Sequence, residues 1–238
     1  MSGKYLKGLR ALPFLLGVGI LMLFWRFDID NYYLCSVLLI LDTLLPFFLR
    51  IERKGLSARE LATLAVLCAL AVISRVAFLV LPGFKPLIGI VMITGMAFGT
   101  EAGSFVGAMS AFVSNFVFGQ GPWTPWQMLA YGLAGFLAGI LRKQGLLDPD
   151  KPVLNAVTGA NVVLLVVGPL LDTCAVLTMM TTYTAQSVGA VYLAGIPANL
   201  VHALATALTL GLFSRPMSKM LDRIRIKYGI MQKNQKKL

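Results

Sequence analysis

The chain has 238 residues, of which 58% are hydrophobic and only 13% charged, with a formal net charge of +11. A soluble domain carries about a quarter charged residues, so this composition excludes an ordinary soluble fold and describes an all-α integral membrane protein with several spans. The positive charge would suit nucleic acid, but no folded reader accompanies it, and its placement in loops and a tail is that of basic cytoplasmic segments.

Lys4, Lys7 and Arg10 precede a short apolar run at 11–25. Phe24-Trp25-Arg26 is a poor cleavage site, so a retained helix is expected here and not a signal peptide. Arg26, Asp28, Asp30 and Asn31 form a polar turn before a second run, 32–49, which ends at Arg50-Ile51-Glu52-Arg53-Lys54. Residues 1–56 thus read as a transmembrane hairpin. Asp42 lies inside its second run and is either a proton or cation site or a neutral, hydrogen-bonded acid packed against a neighbour.

Ser57 and Glu60 have the spacing of a capping box, which predicts a helix running to about residue 81. Ala58 and Ala62, then Ala65 and Ala69, are four apart, a spacing that lets another helix approach closely in lipid. On spacing alone, that neighbour is expected within the same chain. Arg75 cannot shed its charge, so it must pair, snorkel or meet a ligand; Asp172 and an anionic ligand group are both candidate partners.

Pro82-Gly83-Phe84-Lys85-Pro86 predicts a rigid turn. A run at 87–98 and another at 102–118 follow, with Gly95, Gly99, Gly103 and Gly107 four apart. Glycine costs helix stability, so this series implies closely packed backbones at the centre of the fold. Next comes Ser114-Asn115-Phe116-Val117-Phe118-Gly119-Gln120-Gly121-Pro122-Trp123-Thr124-Pro125-Trp126-Gln127. Pro122 and Pro125 are expected to stop any helix, Trp123 and Trp126 to present flat rings, and Asn115, Gln120 and Gln127 to add uncharged donors and acceptors. The stretch is either an interfacial anchor or a rigid mouth for a polar organic ligand.

The run at 128–141 continues the small-residue theme with Gly132, Gly135 and Gly139, and Arg142 and Lys143 close it. Residues 153–171 predict a span ending at Asp172. Residues 173–187, including Tyr183, predict a helix end and a ligand-side loop, and 188–213 the last span. His202, the only histidine, is a metal ligand, a proton carrier or a hydrogen-bonded packing residue. Residues 215–238 form a basic tail, expected to lie along an anionic cytoplasmic surface. Cys35, Cys68 and Cys174 form no Cys-x-x-Cys pair and carry no disulfide or zinc signal.

With eight spans the basic clusters all fall on one face, which the positive-inside rule makes cytoplasmic, with both termini inside. The outer face then receives Arg75, Lys85, the Trp-Pro stretch, Asp172 and Tyr183. No nucleotide-binding loop, zinc motif or nucleophile elbow is present, so binding or transport is expected over catalysis. Residues 57–214 are expected to be a six-helix core.

From about residue 57 to 213 the chain resembles the substrate-binding S component of an energy-coupling factor (ECF) vitamin transporter. The resemblance rests on Ser57-Ala58-Arg59-Glu60-Leu61, the Ala-x-x-x-Ala spacing, the proline-rich first outer loop, the glycine hairpin from Ile93-Thr94-Gly95 to Gly107, the stretch from Ser114 to Gln127, and the helix count. The part from Phe118 to Gln127 resembles a subgroup associated with cobalamin or corrinoid-like ligands. The resemblance implies a vitamin site at the outer face, built from Arg75, Lys85, Asn115, Gln120, Trp123, Trp126, Gln127, Asp172 and Tyr183. It further implies a separate transmembrane subunit docking on Ala58, Ala62, Ala65 and Ala69, and two cytoplasmic ATPases that use ATP while this chain binds no cofactor or metal. It implies too that the S component topples in the membrane to carry ligand inward. A stand-alone secondary carrier and a membrane enzyme acting on a lipid are the alternatives.

Overall fold

A computed structural model describes residues 57–180 and 184–230, with isolated helical positions at 19, 20, 34, 37, 38 and 41. The expected N-terminal hairpin with Asp42, the ligand-side residue Tyr183 and the tail beyond 230 lie outside the described residues. The rest is helical, in six pieces joined by short connections: α1 Ala58–Ala77, α2 Leu87–Phe98, α3 Thr100–Phe118, α4 Trp123–Lys143, α5 Pro152–Met179 and α6 Ala185–Tyr228.

α1 starts where its sequence says it should. The Ser57 backbone N–H donates to Glu60 Oε2 at 2.9 Å and the Glu60 N–H donates to Ser57 Oγ at 3.3 Å, so both halves of the capping box form. It ends at Ala77, four residues before the expected 81. α2 has eleven of twelve residues buried and is the axis around which the others pack. α3 and α4 pack closely because their glycines face each other. A Cβ on Gly103 would strike the Gly135 carbonyl, one on Gly135 would strike the Gly103 carbonyl, and one on Gly107 would strike the Tyr131 carbonyl. Gly99 does not share this role. Nothing lies within 4 Å of a Cβ there, but its φ of +94 makes the reversal between α2 and α3.

Three corrections concern prolines and polar runs. Pro125 lies in the first turn of α4, where a missing N–H leaves no helix bond unmade, so only the segment from Gly119 to Pro122 is a turn. α5 runs seven residues past Asp172, where the span was expected to close, and ends at Met179, inside the stretch 173–187 where a helix end was expected; it passes through a π-helical segment at Val163–Val167 just before Pro169. The wider turn relieves the clash a proline ring makes with the carbonyl one turn back. α6 runs unbroken through Pro197 and Pro216 to Tyr228, so the first part of the expected tail is helix.

α1, α5 and α6 are each long and apolar enough to cross a membrane, and α2 is a shorter apolar helix. Val66, Ile73, Leu165 and Leu193 are exposed on these spans, which suits contact with lipid. An expected count of eight spans depends on residues outside the described ones. Alternation puts the starts of α1, α3 and α5 and the ends of α2, α4 and α6 at one end of the bundle. Arg59, Arg142, Arg215 and Arg225 are all at this basic end. The opposite end holds the α1–α2, α3–α4 and α5–α6 turns.

Candidate ligand-binding site

Arg75, in the last turn of α1, is buried at 4% exposure. Its Nη1 donates to Ser114 Oγ at 2.5 Å and to Asn115 Oδ1 at 3.0 Å, and its guanidinium lies 4.2 Å from the centre of the Phe118 ring. All three partners come from the end of α3. Asp172 is not among them: it accepts from Asn199 Nδ2 at 2.8 Å across the α5–α6 contact, in a niche that a Cβ on Gly195 would fill. Arg75 therefore meets no carboxylate among the described residues, and it is held by neutral oxygens and an aromatic face.

Asn115 is the hub of the α3–α4 corner. Its Nδ2 donates to Thr124 Oγ1 and to Gln127 Oε1, each at 3.0 Å. Thr124 Oγ1 also accepts from the Gly121 N–H and donates to Gln120 Oε1 at 2.9 Å, while Gln120 Nε2 donates to the Phe112 carbonyl. Gly119, with φ +95, turns the chain so that these groups meet. The amides of Asn115 and Gln120 are thus spent on holding the corner. Gln127 Nε2 has no protein partner among the described residues.

The two tryptophans differ. Trp123 is 40% exposed and its Nε1 donates to the Gly119 carbonyl at 3.3 Å. Trp126 is 1% exposed, and its indole N–H has no partner. The expected mouth with two equivalent rings is instead one surface ring and one buried ring with an unused donor. The same condition holds for the Arg75 Nε, Tyr131 Oη and His202 Nε2 atoms, all buried and all without a hydrogen-bond partner. Tyr131 on α4 and His202 on α6 meet edge to face, with ring centres 6.1 Å apart. Arg75 and Lys85 are the cations whose charges act on His202. Lys85 is half-buried in the α1–α2 turn, whose Gly83 packs on Ala198 and Val201 of α6.

Buried polar atoms are nearly always paired, and leaving one unpaired costs roughly 1–3 kcal/mol. Thr206 Oγ1 and Ser218 Oγ on α6 are buried and unpartnered as well, and of all these groups Tyr131 and His202 are the two seen in contact. Tyr131 was not legible as a site residue, because its helix reads as a glycine-rich packing element. The available signal was a phenol in a membrane run, which needs a partner. His202 is buried as a packing residue would be, but its Nε2 is not hydrogen-bonded. No group of acids, histidines or cysteines that could hold a metal ion occurs among the described residues.

Ala58, Ala62, Ala65 and Ala69 are all exposed. The close partner their spacing calls for is therefore not another described helix of this chain.

Residues 55–219 match the family model for the ECF-type riboflavin transporter, S component. The chain belongs to this family. No curated protein and no solved structure matches it. This S component is thus a multi-pass plasma-membrane protein and the substrate-specific, vitamin-binding, non-enzymatic subunit of an ECF transporter, a family that works with a transmembrane subunit and ATPases. The matched family is the riboflavin type, and the corrinoid subgroup expected from the Trp-Pro stretch finds no support.

Proposed function

We propose that this S component binds riboflavin or a closely related flavin at the end of the bundle formed by the α1–α2, α3–α4 and α5–α6 turns, for ATP-driven uptake through its partner subunits. The observation that carries this reading is the set of unpaired buried atoms at Trp126, Tyr131 and His202. A flavin ring is flat and aromatic, and one edge alternates carbonyl acceptors with an N–H donor. Trp126 offers a donor only, whereas Tyr131 and a neutral His202 can each donate or accept. Tyr131 and His202 are also aromatic, so a planar ring can pack against the same groups that read its edge. The family's riboflavin designation supports the same ligand class.

In this reading Asn115, Gln120 and Thr124 shape the corner, Trp123 covers it, and Arg75, Lys85 and Gln127 supply the remaining polar contacts. The exposed alanines of α1 are the face for the transmembrane subunit, since small side chains permit close helix approach. ATP is hydrolysed in the two ATPase subunits. Native mass spectrometry of the chain purified without added ligand tests the proposal. The expected result is a retained mass equal to a flavin; retention of a corrinoid or a lipid-sized product in its place would overturn it.

A further inference from the structure

We propose that Arg75, Lys85 and Gln127 bind a phosphate monoester on the ligand, so that a phosphorylated flavin is taken in preference to neutral riboflavin. The inference rests on the flavin reading above and adds the ligand's charge to it.

Positive charge is not balanced at this end of the bundle. Arg75 and Lys85 are its cations among the described residues, and the charges of both reach the buried His202 ring. Asp172 is the only acid at this end among the described residues, and its carboxylate is engaged by Asn199. Neither cation has an ion pair among the described residues. Arginine keeps its charge at any depth, so a guanidinium 4% exposed and without a carboxylate carries a desolvation cost that an incoming anion offsets.

The unused hydrogen-bonding groups are donors. The acceptors of the α3–α4 corner are occupied: Asn115 Oδ1 and Ser114 Oγ by Arg75, Gln127 Oε1 by Asn115 and Gln120 Oε1 by Thr124. What remains is the Arg75 Nε–H, buried and unpartnered, the Gln127 amide nitrogen and the Lys85 ammonium. Asn115 holds the first two together, because its amide takes Arg75 on one atom and Gln127 on the other. Gln127 precedes Tyr131 by one turn of α4, and Tyr131 meets His202, the ring that both cations act on. Donors from α1, α4 and the α1–α2 turn, two of them charged, match a phosphate monoester, which carries about −1.5 to −2 near neutral pH and presents acceptor oxygens alone. A neutral chain of hydroxyls supplies no charge to either cation and brings donors where none are needed.

Titration of flavin mononucleotide, the phosphate monoester of riboflavin, and of riboflavin itself into the full chain, in a buffer free of inorganic phosphate, tests this. Wild type should bind the phosphorylated flavin about tenfold more tightly, the contribution of one charge-assisted hydrogen bond. Lys85→Gln should remove most of that preference and Lys85→Arg should keep it. Gln127→Glu retains the oxygen that accepts from Asn115 and sets a negative charge beside the phosphate, so it should reverse the preference. Melting curves identify which variants are folded. Equal or tighter binding of riboflavin by wild type, or a preference unchanged in either folded variant, would overturn the proposal. Riboflavin binding without a phosphate preference leaves the flavin reading standing, whereas binding of neither flavin by folded protein removes both.

Discussion

Trp126 and Trp123 are three residues apart and have opposite duties. Trp126 is buried with a free N–H, so Trp126→Phe keeps most of the ring packing and removes only the donor. Flavin affinity should fall about twofold to tenfold, the range of one net hydrogen bond, with little change in melting temperature. Tyr131→Phe should behave alike. Trp123→Ala should instead weaken the turn it braces through Gly119, with a smaller effect on affinity. Titration of flavin into the three variants, beside their melting curves, separates the roles. Arg75→Gln should be the most damaging single change at this site, because it removes the donor to both Ser114 and Asn115 and leaves buried oxygens unpaired, a loss of roughly 1–3 kcal/mol each. If Arg75→Gln folds and melts as wild type, Arg75 is not the brace described above.

At the scale of helices, what was legible in the sequence was what depends on neighbouring residues. The capping box at Ser57 and the glycine hairpin are local patterns with one physical solution each. The stretch 173–187 does hold the expected helix end, but later than the span's expected close at Asp172, because threonines can hide in a helix: Thr173 Oγ1 donates to the Pro169 carbonyl and Thr178 Oγ1 to the Cys174 carbonyl, both at 2.7 Å. α6 keeps Pro197 and Pro216 inside a continuous helix, although each removes a backbone N–H, so packing offsets hydrogen bonds that are lost there. The site was legible in part. The stretch from Ser114 to Gln127 stood out, but the partners that make Asn115 a hub, and the pairing of Tyr131 with His202, arise only when α1, α4 and α6 come together. The glycines give a sharp test. Gly135→Ala should destabilise by roughly 1–3 kcal/mol, because its Cβ meets backbone that cannot move aside. Gly211→Ala should be neutral or stabilising, since its only neighbour within 4 Å is the Ala156 Cβ at 3.8 Å and alanine is the better helix former. Thermal melts in one detergent compare them directly.

The molecule as a whole divides its labour by face. Arg75, Trp126 and the polar α3–α4 corner lie toward one end, the exposed cations of α6 toward the other, and the exposed alanines of α1 lie on the side. Ala62→Leu with Ala65→Leu should block uptake in cells and leave flavin binding intact, since larger side chains prevent the close approach that small ones allow; uptake that survives the double change would remove α1 as the docking face. The family match begins at residue 55, so a chain lacking residues 1–53 should still fold and bind. Both expectations rest on the claim that binding belongs to this bundle alone and the power stroke to its partners. The most direct test is titration of riboflavin, and of cobalamin in parallel, into the purified chain without nucleotide. The account predicts saturable riboflavin binding, weakened in Tyr131→Phe, with no competition by cobalamin and no ATP hydrolysis; an absence of flavin binding by folded protein, or displacement of flavin by cobalamin, would contradict it.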